Sequence, residues 1–401
     1  MANYFSSFNV ADYFPQLESI ERDEEKRLAH LPIKYPHLFK FYKKLEASFW
    51  TDNDINKDIE RDAFDFERAT PPEQRLFERV QGSFAISDFV VGDVVGEKIG
   101  HRIKSPDARI IYSFIAAQEN IHMITYSKII DKAIPNKKKK EEVLTMASKI
   151  PTIKKKVEWI RKWVGMDNDV HDLDRNTIEA IFELVKKNNV VLQALHPNEN
   201  IDKYKSDSML RLEEKLKEKI PPLDMLIVAL AVTEAVFFSG SFAVVFWFAK
   251  NGMFPGASAA NQLIQIDEGN HVENGSIIHK TLIKNKVPQR IVHEMVRDAV
   301  EVESAFMYDA MPEDGEGIRG MNAKLMMRYV KYSADWVLSL FGYEKLYNIP
   351  FDDTFGYMKR QSITHTFTDF FIGEELNYKL NGENETGTDK KPVFDDDIPD
   401  I

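Results

Sequence analysis

The chain carries the pattern Glu-x-x-His twice, as Glu119-Asn120-Ile121-His122 and as Glu268-Gly269-Asn270-His271. A spacing of three residues puts carboxylate and imidazole on one face of a helix. Two such helices facing each other, with one further carboxylate from each of two more helices, enclose a pair of metal ions in the four-helix di-iron or di-manganese arrangement. A single Glu-x-x-His carries little weight in a Glu-rich helical protein. Two of them, with third and fourth carboxylates in apolar surroundings, carry far more.

Those further carboxylates are present. Asp88 follows Phe84-Ala85-Ile86-Ser87 and precedes Phe89-Val90-Val91, and Glu234 is the one charge inside the apolar run Met225 to Ala249. Glu119 and His122 lie among Phe114, Ile115, Ile121 and Ile124, while Glu268 and His271 follow Leu263-Ile264-Gln265-Ile266. A buried ionised carboxylate is costly unless paired. Four together repel one another unless cations receive them. The sequence therefore predicts that Asp88, Glu119, His122, Glu234, Glu268 and His271 converge on two cations, with carboxylate oxygens bridging them and one imidazole capping each.

The elements that must position these residues read as helices almost throughout. One helical pattern runs from Leu31 to Trp50 and ends at the turn Thr51-Asp52-Asn53-Asp54. Another begins after Thr70-Pro71-Pro72, where an early proline suits a helix start, and carries Asp88. Ser105-Pro106-Asp107 opens the helix of Glu119 and His122, which ends near Pro135; Lys137 to Lys140 reads as a solvated helix start. The charged stretch 167–220 reads as an inserted helical hairpin. Ala257 to Leu282 carries the second motif, Pro288 to Met311 is a further helix, and segments 322–346 and 354–378 supply the last helical pieces. Met225 to Ala249 is long enough to cross a bilayer, but a helix apolar all round serves equally as the central helix of a large bundle, and Glu234 near its middle favours the bundle. No membrane association is expected. The domain organisation expected is an N-terminal arm over 1–30, one di-metal domain over 31–379 with the insertion at 167–220, and a disordered acidic tail over 380–401.

Composition sets limits. A net charge of −11 argues against a nucleic-acid binder, for which a basic surface is expected, and an apolar fraction of 43% is ample for a buried core. Cysteine is absent, which excludes disulfides, cysteine-held zinc or iron–sulfur clusters and thiol catalysis by this chain. The N-terminal residues show no basic region followed by an apolar run, so no secretory signal is read there. A cytoplasmic location is the expectation.

With these residues in view, the chain resembles the small, radical-generating subunit of class I ribonucleotide reductase over most of residues 30–380. The resemblance rests on Lys43-Lys44-Leu45-Glu46-Ala47-Ser48-Phe49-Trp50, Phe84-Ala85-Ile86-Ser87-Asp88, Glu119-Asn120-Ile121-His122-Met123-Ile124-Thr125-Tyr126, Phe237-Phe238-Ser239-Gly240-Ser241-Phe242 and Asp267-Glu268-Gly269-Asn270-His271. It implies an all-α, ferritin-like bundle, a homodimer, and two iron ions, with manganese or a mixed pair left open because the same ligands suit them. Asp88, Glu119 and His122 would hold one ion. Glu234, Glu268 and His271 would hold the other, with Glu119 and Glu268 as candidates to bridge. Tyr126, four residues after His122 on the same helix face, would be the tyrosine oxidised to a stable phenoxyl radical. Phe238, Phe242 and Ile264 would wall that radical from solvent and reductants.

The resemblance also implies a transfer route. Asp267 would hydrogen-bond the outer nitrogen of His122, and Trp50 would donate its indole N–H to Asp267 and carry the oxidising equivalent outwards. Tyr378 would relay it between subunits, and the acidic end 393–401, with Phe394, Ile398 and Ile401 interleaved, would dock into the large subunit, where the nucleotide is reduced. Two rivals stand beside this reading. A ferritin-like oxidase acting on its own substrate would have no need of Tyr378 or a docking tail, and a scaffold subunit would have lost its ligands.

Overall fold

The computed structural model describes residues 18, 20, 31–55, 59–164, 175–197, 199–210, 222–312, 316 and 318–360. Most of the N-terminal arm, parts of the insertion at 165–174 and 211–221, and the tail with Tyr378 and 393–401 lie outside the described residues. Among those described, no strand occurs, in keeping with the all-helical expectation.

Helix α1 (Pro36–Ala47) buries Leu38, Phe41 and Leu45 at helical spacing and stops three residues before Trp50. After α2 (Ile59–Arg68), Thr70 opens α3 (Pro71–Asp93) with a capping box: its hydroxyl accepts from the Glu73 N–H while the Glu73 carboxylate accepts from the Thr70 N–H. Two orphan donors of the first turn are thereby satisfied, and α3 continues into a π-helical stretch, Val94–Gly100. Pro106 starts the long α4 (Pro106–Ala133), which packs along α3. Short helices α5 (Lys137–Leu144), capped by Asn136, and α6 (Met146–Lys149) lead to α7 (Pro151–Trp163). Within the insertion, α8 (Arg175–Leu195) is followed by a 3-10 turn, Ile201–Tyr204.

The apolar run forms α9 (Leu223–Val232), a π turn over Thr233–Phe238 and α10 (Ser239–Lys250). Leu223–Lys250 is the one helical stretch among the described residues long and apolar enough to span a membrane, but its apolar window is wholly buried by its neighbours. Helix α11 (Pro255–Thr281) is fixed at its start from α2: Asp62 accepts from the N–H groups of Gly256 and Ala257 at 2.9 and 2.6 Å, and Asp65 from that of Phe254 at 2.9 Å. Buried carboxylate at a helix N-terminus satisfies free donors and complements the helix dipole. Helices α12 (Gln289–Ala310) and α13 (Ala323–Leu340) close the bundle, and α14 (Gly356–Arg360) seats Phe355 and Tyr357 against it, the Tyr357 hydroxyl donating to the Ala243 carbonyl. Four central elements thus face one axis: α3, α4, the π turn between α9 and α10, and α11.

Candidate metal centre

Each of those four elements turns acid inward. Asp88 comes from α3, Glu119 and His122 from α4, Glu234 from the π turn, and Glu268 and His271 from α11; all six are buried. The Nδ1 atoms of the two imidazoles point into the cluster. His122 Nδ1 lies 3.1 Å from Glu268 Oε1, 3.6 Å from Glu119 Oε2 and 3.9 Å from Asp88 Oδ2. His271 Nδ1 lies 3.1 Å from Glu119 Oε1, 3.4 Å from Glu268 Oε2 and 3.5 Å from Glu234 Oε1. Two sets result, each with its donor atoms within 4.8 Å of one another: Asp88, Glu119, His122 and Glu268, and Glu119, Glu234, Glu268 and His271. Glu119 and Glu268 belong to both, as bridging carboxylates must.

The donor set fits two cations. Both oxygens of all four carboxylates and the Nδ1 of both imidazoles are buried without a well-formed hydrogen bond among the described residues, a state that is costly unless an ion occupies the middle. Burial pushes the carboxyls of Asp88 and Glu234 well up, and repulsion from Glu268 and Glu119 adds to it. Burial would raise Glu119 too, but its contacts with His122 and His271 outweigh it and hold the group down to about 2. Both imidazoles are raised well above their ordinary range, because the surrounding carboxylates overcome burial. Left to itself the cluster therefore gathers protons to offset its negative charge. Two divalent ions would do the same with oxygen and nitrogen ligands that suit iron and manganese alike.

The outer nitrogens are held in a symmetrical way. His122 Nε2 meets Asp267 Oδ2 at 3.2 Å, and the same oxygen accepts from Trp50 Nε1 at 2.7 Å, with the Trp50 ring nearly parallel to His122 at 5.9 Å. The expected contact of Trp50 with Asp267 is thus present. His271 Nε2 meets Gln118 Oε1 at 3.3 Å. The residue before the glutamate of each motif therefore orients the histidine of the other. Asp267 is expected from the sequence; Gln118 is not, although its place before Glu119 matches that of Asp267 before Glu268.

Tyr126 is fully buried, and its hydroxyl has no hydrogen-bond partner among the described residues. Burial, then the negative charge of Asp88, Glu268 and Glu119, pushes its phenol well above the ordinary value. Phe238, Phe242 and Ile264 are all buried, as expected of a dry pocket, yet the ring stacked on Tyr126 is that of Phe84, at 4.8 Å and 9°. Phe238 and Phe242 back Phe84 at 5.6 and 4.9 Å. Phe84 went unassigned in the sequence, although its position four residues before Asp88 aims it at the same face, by the spacing that relates Phe238 to Glu234. Tyr378 lies outside the described residues.

Fold and site together define a ferritin-like helical bundle with a carboxylate–histidine cluster suited to two metal ions. A family model described as ribonucleotide reductase, small chain, matches residues 27–354. The ribonucleoside-diphosphate reductase small subunit of Dictyostelium discoideum is 31% identical over 375 residues, covering 93% of this chain and 92% of that protein. The small chain 1 of Saccharomyces cerevisiae is 33% identical over 366 residues, covering 91% of this chain and 76% of its own length. Among solved structures, the Rnr4 homodimer of Saccharomyces cerevisiae superposes with a TM-score of 0.61 at 24% identity, covering 84% of this chain and 88% of that one. The dimanganese(II)-NrdF of Streptococcus sanguinis does so with a TM-score of 0.59 at 14% identity, covering 85% and 96%. These two show the shared fold. The chain belongs to the ribonucleotide reductase small-chain family: it is a ribonucleoside-diphosphate reductase small subunit, an oxidoreductase component that works with a large subunit.

Proposed function

We propose that Asp88, Glu119 and His122 hold one iron ion, that Glu234, Glu268 and His271 hold a second, and that Tyr126 is the residue oxidised to a stored phenoxyl radical. When bound, the metal pair would supply oxygen activation and the oxidising equivalent. Everything else falls to the chain. The observation that carries the reading is the pair of ligand sets sharing Glu119 and Glu268 beside a buried, unpartnered phenol on the helix of the first motif. Raised as it is, the Tyr126 phenol stays protonated at rest, so its oxidation must remove a proton with the electron. Of the carboxylates, Asp88 acts on it most strongly. Phe84, Phe238, Phe242 and Ile264 would keep water and reductants from the radical.

Outward transfer would follow His122, Asp267 and Trp50, which form one buried hydrogen-bonded line. Tyr378 would continue it, and the end 393–401 would dock on the large subunit through Phe394, Ile398 and Ile401, its acidic residues adding charge complementarity. The unit so described is a di-metal domain over 31–379, with an insertion at 167–220, an N-terminal arm over 1–30 and a docking tail over 380–401. It would act in the cytoplasm as a homodimer, a second copy covering apolar side chains such as Phe89 on α3 and Ile124 on α4, which lie exposed. Manganese is the second reading, favoured by the donor set and by a structural neighbour that is a dimanganese protein.

The test adds ferrous iron and oxygen to metal-free protein and records the electron paramagnetic resonance spectrum beside Tyr126→Phe. A tyrosyl signal that vanishes in the variant is expected. No tyrosyl signal after either iron or manganese loading would turn the reading towards an oxidase with its own substrate or a scaffold subunit.

A further inference from the structure

Away from the metal ligands, a Lys–Glu ion pair is completely buried among the described residues. Lys156 of α7 and Glu303 of α12 meet at 2.7 Å with neither side chain exposed. Such a pair gives little net stability, since removing two charges from water costs about as much as their attraction returns. Its position suggests another use. Lys156 Nζ also reaches the carbonyl of Phe237 at 3.5 Å, lies 5.6 Å from the Phe237 ring centre and sits 3.7 Å over the ring of Phe306. Phe237 belongs to the π turn Thr233–Phe238, and Trp159 of α7 also meets its ring, edge-on at 5.0 Å.

A π turn fits one extra residue into a helix and is marginal by itself. At its start, the Thr233 hydroxyl donates to the Ala229 carbonyl at 2.9 Å. At its end the donor comes from outside the helix, and it is Lys156. Gly240 lies against the same packing: a Cβ there would stand 2.5 Å from the flexible end of Met307, 3.1 Å from Val330 Cγ2 and 3.4 Å from Glu303 Oε1, so the last turn after Phe238 is closely packed on α12 and α13. The turn carries Glu234, whose carboxylate faces His271 Nδ1 at 3.5 Å. Were the stretch to relax by one residue into regular α-helix, side chains along it would swing by about 100° about the axis. Glu234 would then leave the cluster.

We propose that Lys156 and Glu303 are positioning residues that lock the π turn in register and so present Glu234 to the second cation. This rests on the two-cation reading of the cluster, and it predicts an asymmetric defect. Lys156→Met leaves Glu303 buried without its partner, so Lys156→Met/Glu303→Leu, which removes both charges, is made beside it as the variant expected to keep its fold.

The experiment titrates metal-free, full-length protein with Co(II), following visible absorption and heat. Glu234→Ala and Asp88→Ala mark which binding phase belongs to which site. In the double variant, the ion lost in Glu234→Ala is expected to bind about tenfold or more weakly, the range for loss of groups that orient ligands. The ion lost in Asp88→Ala should weaken clearly less, since it shares Glu119 and Glu268 with the other site but not Glu234. Equal weakening of both ions, or no change in either, would overturn the clamp. A wild-type chain that failed to take up two ions would remove the metal reading on which the clamp depends, an outcome distinct from two ions binding equally well with and without the pair.

Discussion

Asp267 offers one oxygen to two donors, and that geometry predicts what loss of the indole should do. Trp50→Phe keeps an aromatic ring beside His122 but deletes the N–H that reaches Asp267 Oδ2 at 2.7 Å. The other oxygen, Oδ1, has no partner among the described residues, so the carboxylate would be left with His122 Nε2 at 3.2 Å. Hydrogen bonds to charged groups contribute about 1.5–3 kcal/mol, and burial puts this one towards the upper part of that range. A double-mutant cycle of Trp50→Phe with Asp267→Ala, read by urea unfolding of the metal-free chain, should therefore give a coupling of about 2 kcal/mol. With the large subunit added, Trp50→Phe should still form the tyrosyl radical but reduce nucleotide more slowly by about tenfold or more, equivalent to at least about 1.4 kcal/mol on the transfer barrier. A coupling below about 0.5 kcal/mol would mean that the contact is not energetically formed. Normal nucleotide reduction would mean that the oxidising equivalent leaves by another way.

Three further outcomes follow from the same geometry. Phe84→Ala deletes the ring stacked on Tyr126, so it should cost about 3–5 kcal/mol of stability and shorten radical lifetime, read by decay of the tyrosyl signal; Phe84→Leu should lie between. Gln118→Ala releases the outer nitrogen of His271 and should weaken the ion lost in Glu234→Ala by about 10–100-fold in the Co(II) titration. Burial, opposed by Lys156, raises Glu303 from 4.5 to about 7, so the folded chain keeps a proton there that the unfolded chain has released. That contribution is complete below pH 4.5 and fades as the pH rises to about 7, so the stability of wild type minus that of Glu303→Gln should fall across this window in urea unfolding.

Much of the site could be read before any coordinates, because its chemistry is written in types and short spacings. Two Glu-x-x-His motifs fix which helix faces converge, and charge inside apolar helices marks Asp88 and Glu234 as buried. The prolines at 71 and 106 mark helix starts that the structure keeps, the first with a capping box at Thr70 that the sequence reading did not name. Three features stayed hidden for physical reasons. The π turn around Glu234 adds a single residue to the helical period, and in a run apolar on every face no pattern registers the slip. Gln118 is uncharged, so nothing in its type distinguishes a histidine partner from an ordinary core amide; only the symmetry with Asp267 singles it out. Lys156 sits in the run Lys154-Lys155-Lys156, where residue type does not single out which lysine is buried; that shows only when α12 brings Glu303 against it.

The central claim is that six side chains from four helical elements hold two cations. Crystals of the metal-loaded chain, measured at the absorption edge of the added ion, test it directly. The account predicts two anomalous peaks: one touched by Asp88 and His122, the other by Glu234 and His271, with Glu119 and Glu268 reaching both. One peak, or two peaks elsewhere with these carboxylates hydrogen-bonded to protein groups instead, would contradict it.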